Sequence, residues 1–419
     1  MARFIGIRHR VKKTAAGEAR PTQVVILHDG KTTKIDLPDD QAELDFVRTL
    51  FPKSYRAVKP TDNLAIFLAH HLQWKKAKNS QSAVGLPEGF VCKVGKDVMI
   101  LDKVPAIYEG LQAGDVVGMV LGGSGDRLAA ALSRRGEHIG ATVWRVPPKD
   151  FSFWRGEASK DEDANLLAQM VRDRQSSFYQ VENRDRDLIR VGSALRARQE
   201  AMQARIACAQ RLRASFIGSV FLSEEGFFPE GQIDNEFILQ SSNNVVLQNL
   251  AKEERLCDRE LEKAVKATAL WDNIFAPIEG VGPRLAAAFI SGIVDVRRFS
   301  SEAKLKKFCG AHVLEDGSFP RRRRGQVANW SPDLRQALFL LGDQFNRRPD
   351  SPWGMKLRDY KVKLRAKHPE PVVVDGTKHY SDGHIHRMAT WRTLTKFVEW
   401  LYSEWWKLEI QYQESRVAA

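Results

Sequence analysis

The chain has 419 residues and is 43% hydrophobic, enough for two or three domains with their own cores, which excludes a wholly disordered protein. Its 65 Lys and Arg against 52 Asp and Glu give a net charge of +13, which favours a polyanionic partner, nucleic acid before an anionic membrane. The four cysteines, Cys92, Cys208, Cys257 and Cys309, form no CxxC pair and read as reduced thiols of a cytoplasmic protein; no apolar run reaches the ~18 residues of a membrane span.

In chain order, residues 4–7, 24–27 and 31–37 read as short strands, with Asp29-Gly30 as the hairpin turn between the last two. The basic start, residues 1–8, lacks the long apolar stretch of a secretion signal. Residues 42–50 read as a helix, and the apolar segment 64–74 as another. Residues 90–93 and 98–101 flank a second hairpin turn. The continuous apolar run 115–121 predicts a strand buried on both faces. Gly122-Gly123-Ser124-Gly125 follows it, then a helix over 126–134 and a strand over 141–146, an order that implies parallel pairing with a helical crossover. The glycine run lacks the Lys and Ser/Thr of a phosphate loop and reads as a tight turn. Asp161 and Asp163 lie where a helix over 164–172 begins. They read either as dipole-favoured acids or as a carboxylate pair for a divalent metal.

Residues 183–222 and 244–271 then predict two long amphipathic helices, joined by a loop over 226–240, as in an antiparallel coiled-coil hairpin. The first carries many arginines, for which phosphate contact and a solvated face are equally consistent. Gly280 and Gly282 precede Arg284 and an apolar helix ending at residue 293. Successive backbone N–H groups at such a turn bind phosphate oxygens, and the plain alternative is a helix start with Pro283 in its first turn. Residues 310–325 form a loop with Ser318 beside Arg321, Arg322, Arg323 and Arg324, a hydroxyl among cations. Arg335 lies on the helix after it. His384 and His386 open the last helix as polar or phosphate contacts; with His379 they are a weaker metal candidate, lacking Cys or carboxylate at ligand spacing. The fold class is therefore α/β plus α, a mixed-sheet region followed by helices.

The succession of these features resembles the IS110-type transposases (the IS110/IS116/IS902 group). It is carried by Ile278-Glu279-Gly280-Val281-Gly282-Pro283, Phe308-Cys309-Gly310, Asp333-Leu334-Arg335-Gln336-Ala337-Leu338 and Gly383-His384-Ile385-His386-Arg387. The resemblance implies a RuvC/RNase H-like mixed-sheet domain over 1–175 with an insertion near 60–112. A helical hairpin over 176–273 and a helical transposase domain over 274–419 with a helix-hairpin-helix-like motif would follow. It also implies Mg²⁺ bound by four acids, a serine nucleophile, DNA and a structured noncoding RNA as partners, and a homo-oligomer, dimer or tetramer. Ser318 falls at the nucleophile position. At the acidic positions stand Arg8, Gly122, Lys160 with Asp161 adjacent, and Asp163, so Asp161 and Asp163 are the remaining candidate ligands. The first reading is a transposase or a descendant of one. A second is a catalytically silent nucleic-acid-binding protein on the same scaffold. A third, resting on Gly280 to Arg284 alone, is a helix-hairpin-helix repair or structural factor.

Overall fold

Alternating and continuous apolar runs in the first half make strands, and Ala- and Leu-rich periodic runs in the second make helices. The computed structural model describes residues 2–10, 20–77, 86–87, 89–224, 231–315, 319–321, 325, 328–374 and 377–418. It is a mixed α/β protein that divides into two units, Met1–Asn183 and Arg184–Ala419.

The first unit begins with β1 (Phe4–Arg8), β2 (Thr22–His28), β3 (Lys31–Leu37), α1 (Asp40–Val47) and β4 (Phe51–Ala57). It continues with β5 (Gln73–Lys76), β6 (Val91–Val94), β7 (Asp97–Glu109), β8 (Val116–Val120), α2 (Asp126–Ile139), β9 (Thr142–Val146), α3 (Pro148–Arg155), α4 (Asp163–Asp173) and β10 (Tyr179–Gln180). One six-stranded sheet has the order β10-β9-β8-β1-β2-β3. Within it β1, β8 and β9 are parallel, and β2, β3 and β10 pair antiparallel. Asp29 and Gly30 turn the β2–β3 hairpin with φ of 46° and 72°, as a two-residue hairpin loop requires.

Helix α4 lies unusually close on this sheet. A Cβ at Gly6 of β1 would come within 1.9 Å of the Ala164 carbonyl oxygen, and one at Gly118 of β8 within 2.9 Å of Val171. The two missing side chains let the helix backbone approach, so the start of α4 is set against the end of β1. Leu167, Met170 and Val171 seal this face with Val146, Phe151 and Phe178.

A second sheet, β4-β7-β5 with β6 also on β7, is antiparallel throughout. It corrects the helix expected over 64–74. That segment holds two 3₁₀ turns, Leu64–Ile66 and Ala69–His71, and then β5. An apolar run without alternation reads as helix, but Trp74 and Lys75 find strand partners on β7 that lie far along the chain.

The second unit comprises α5 (Asn183–Phe221, which starts one residue before it), α6 (Ile233–Ser242), α7 (Val245–Lys266), α8 (Pro283–Ile293), α9 (Glu302–Phe308), α10 (Pro332–Arg347), α11 (Pro352–Lys367), the hairpin β11 (Val372–Val374) and β12 (Thr377–His379), and α12 (Asp382–Ala418). Helix α6 occupies much of the expected loop over 226–240, and α7 ends earlier than the predicted 271, ahead of a π-helical turn, Trp271–Phe275. The core gathers Phe275, Phe289, Leu338, Leu341, Phe345, Phe397 and Trp405 from α8, α10, α12 and that turn. Burying such side chains contributes roughly 1.5–3 kcal/mol each. At the far end of α12, Glu409 meets Arg184 and Arg297, and Arg297 also binds Asp185 and Asp295, a buried network that ties the start of α5 to α12. The Asp295, Asp185 and Glu409 carboxylates outweigh burial and hold the Arg297 guanidinium above its ordinary pKa.

Candidate nucleic-acid interface

In the first unit the parallel strands β1 and β8 end at one edge of the sheet, where crevices of α/β sheets take ligands. Arg8 closes β1 there. Its guanidinium Nη1 lies 3.7 Å from Asp161 Oδ1, and Arg20 binds the same oxygen at 2.6 Å. Asp163 opens α4 and lies 3.5 Å from Arg155 Nε. Burial pushes the Asp163 carboxyl above the usual range, the Arg155, Arg8 and Lys160 charges oppose the shift, and Asp161 adds to it. Gly122, just past β8, has φ of 87°, and Gly123 has 85°. A carboxylate side chain at 122 would be strained by its backbone alone.

Asp161 is paired with two guanidinium groups, and Asp163 Oδ1, buried without a hydrogen-bond partner, lies 3.5 Å from a third; this set does not fit a Mg²⁺ ion, which needs several oxygen ligands free of competing cations. Other contacts take up the neighbouring space. Ser124 Oγ and His9 Nδ1 are 2.9 Å apart, His9 Nε2 is 3.4 Å from Glu43 Oε1, and the Thr22 hydroxyl donates to the same Glu43 oxygen at 2.6 Å. Asp126 Oδ1 accepts from the Gly122 N–H and from the buried Arg145. The sequence showed Arg8 and Gly122; Arg20, Arg155 and Arg145 join the edge only through the fold.

In the second unit the turn before α8 has Gly280 at φ 90° and Gly282 as the residue preceding the helix, with no side chain capping its first turn. Space left by the missing Gly280 side chain is filled by Arg348, whose Nη1 would be 2.7 Å from a Cβ there. Arg348, unflagged in the sequence, thus brings a guanidinium to a helix N-terminus suited to anions. Arg284 is held by Asp258 through bonds of 2.8 and 2.5 Å, and Arg198 reaches Asp258 and Glu254 at 3.1 Å each. Arg205 also binds Glu254. These α5 arginines therefore bridge helices, with α5 and α7 running antiparallel.

Ser318, Arg322, Arg323 and Arg324 lie outside the described residues. Phe319 packs on Trp391 of α12 with centroids 5.6 Å apart. Arg335 sits over Trp391 at 4.0 Å and Trp330 at 5.2 Å, and donates to the Gly310 carbonyl. Gly310 at φ 67° again leaves room for the Trp330 ring and the Arg335 stem.

His384 Nδ1 accepts from the Tyr380 N–H at 3.0 Å, so the proton of the neutral ring is on Nε2. Burial lowers the His384 pKa first, and the charges of His379, Arg387, Arg321 and His368 lower it further. Arg321 is therefore part of the positive field around His384. His386, lowered by burial and by Lys361, belongs to a different neighbourhood. Arg335 therefore lies against Trp391 within α12, and Arg321 acts on His384 at its start, while Gly280, Gly282 and Arg348 form a second station at α8, with Arg284 held by Asp258.

Residues 272–354, which span α8 to α10, match the family model described as Transposase IS116/IS110/IS902 family. No curated protein matches the chain.

Proposed function

We propose that this chain, an IS110-type transposase by its match over residues 272–354, recombines DNA strands through Ser318. The observation that supports the reading lies in the residues flanking Ser318: Phe319 packs on Trp391, Arg335 lies over the same ring, and the Arg321 charge reaches His384. In the proposed step the Ser318 hydroxyl loses its proton and its oxygen bonds to a backbone phosphorus. One P–O bond of the strand breaks, and the departing oxygen takes up a proton. Arg321, Arg322, Arg323 and Arg324 offset the charge that develops on the phosphoryl oxygens. Gly280, Gly282 and Arg348 would hold a neighbouring phosphate and position the strand.

The strand order and its parallel centre support a RuvC/RNase H-like reading of the first unit. In this reading Asp161 and Asp163 hold no Mg²⁺ while Arg8, Arg20 and Arg155 remain on them. A structured noncoding RNA and a homo-oligomer, dimer or tetramer, complete the proposal. The charge of +13 suits two nucleic acids, and the exposed Phe221, Leu222, Ile238 and Leu239 near the tip of the α5–α7 hairpin suit a coiled-coil contact between chains.

One observation favours a second reading, a catalytically silent binder on the same scaffold: the charge-inverted edge at Arg8 and Gly122. Purified protein with Mg²⁺, the flanking noncoding RNA, donor DNA and target DNA separates the two. Recombined strands absent from Ser318→Ala support the transposase. Binding without recombination, where an intact relative recombines, supports the silent binder.

A further inference from the structure

Helix α1 buries a carboxylate against the insertion. Asp45 is 2% exposed, yet among the described residues no Lys or Arg side chain lies within ion-pair distance of it. Its partners are two consecutive histidines from the turn before β5. His70 Nε2 and His71 Nε2 both point at Asp45 Oδ2, at 2.9 and 2.8 Å. Gln41, one helical turn earlier on α1, donates to Asp45 Oδ1 at 3.0 Å. The two imidazoles stand edge to face with centroids 4.2 Å apart, and the Tyr108 ring from β7 closes the far side of His71.

Adjacent side chains on a turn ordinarily diverge, but here both ring nitrogens converge on one oxygen. The three candidate ligand atoms lie within 4.8 Å of one another. A buried charge is paired, or it binds a metal. Among the described residues, the two Asp45 carboxylate oxygens are met in hydrogen bonds by His71, His70 and Gln41 alone. Two imidazole nitrogens and a carboxylate oxygen make up a ligand set for a divalent cation.

We propose that Asp45, His70 and His71 form a binding site for a borderline divalent cation of the zinc class, tying the insertion to α1. Two nitrogen ligands select Zn²⁺, Co²⁺ or Ni²⁺ and reject Mg²⁺ and Ca²⁺, which prefer all-oxygen shells. Ligand atoms around a tetrahedral zinc stand about 3.4 Å apart, so the two Asp45–histidine distances of 2.9 and 2.8 Å widen by about 0.5 Å to admit the ion. His70 is exposed, so the ion enters from solvent, and water or the amide oxygen of a flipped Gln41 takes the fourth position. The cation would be distinct from any Mg²⁺ expected at the β1–β8 edge, and the inference does not rest on the proposed recombinase activity.

The test uses the intact, tag-free chain after chelator treatment. ZnCl₂ and MgCl₂ are titrated by calorimetry, and CoCl₂ by its visible ligand-field bands. Wild type binds Zn²⁺ and Co²⁺ at this site and gives no comparable Mg²⁺ heat. Even an outer-shell partner is worth about 10–100-fold in affinity, so His70→Ala and Asp45→Asn each weaken that site by more than about 100-fold. His384→Ala, in the other histidine cluster, leaves it unchanged. Equal Zn²⁺ affinity and stoichiometry in wild type and His70→Ala overturns the proposal, as does a site lost only in His384→Ala. His70 is exposed and its replacement spares the core, so that variant decides even where Asp45→Asn fails to fold.

Discussion

The edge of the first unit's sheet and the Arg335 site of the second unit treat charge in opposite ways. At the sheet edge, Asp161 and Asp163 are bound by Arg8, Arg20 and Arg155, so their charges are spent within the protein. Beside the loop, Arg335 is held by aromatic faces and a carbonyl, and the Arg321 charge helps to lower the His384 pKa. Cations fixed by rings and backbone keep their field for an external anion, whereas cations fixed by carboxylates do not. We therefore propose that phosphate is handled in the second unit.

The largest expected effect lies at Arg335. Arg335→Ala removes a cation–π contact worth about 0.5–2 kcal/mol and a charged hydrogen bond worth about 1.5–3 kcal/mol. Thermal or denaturant unfolding should show a loss of about 2–5 kcal/mol in the second unit, with Arg335→Lys intermediate because lysine lacks the planar fork. An unchanged midpoint would mean that these contacts add nothing to the second unit.

The sheet edge gives a smaller effect. Adding Gly122→Glu to Arg8→Asp replaces both missing carboxylates, yet residue 122 at φ 87° costs about 1–2 kcal/mol for any side chain. Arg20 and Arg155 still occupy Asp161 and Asp163, so Mg²⁺ titration of the double variant should match wild type. Tight Mg²⁺ uptake by the double variant would break the comparison.

His384 gives the smallest effect, with a defined sign. Its folded pKa lies below the ordinary value of about 6.5, so the unfolded chain takes up the proton first as pH falls. The neutral ring's contribution is full above that value and is lost as pH falls from it through the folded pKa. His384→Gln should flatten the loss of stability on acidification below pH ~6.5. Duplex DNA nearby should raise the imidazole pKa in an NMR titration, since phosphate favours the imidazolium. A pKa unmoved by DNA would remove His384 from the interface.

Much of this was legible in the residues. The apolar runs at β1, β2 and β8 and the capped helices α10 and α11 follow local rules, and Asp161 and Asp163 announce themselves as acids opening a helix. Their partners do not, because Arg20 reaches Asp161 across 141 residues of chain. The segment over 64–74 misleads for the same reason. Its hydrophobicity is local information, but pairing with β7 is not, and Ile66 ends up exposed. His70 and His71 look like ordinary polar residues until Asp45, 25 and 26 positions earlier, is brought to them. Arg348 gains its place only because Gly280 lacks a side chain.

The most direct test of the central claim is chemical. Strand-labelled donor DNA is incubated with the protein and its flanking noncoding RNA, denatured, and digested for mass spectrometry. Recombination through Ser318 should leave a nucleotide joined to the peptide containing Ser318, and none with Ser318→Ala. An adduct that persists in Ser318→Ala, or recombined strands formed without any adduct at Ser318, would contradict it.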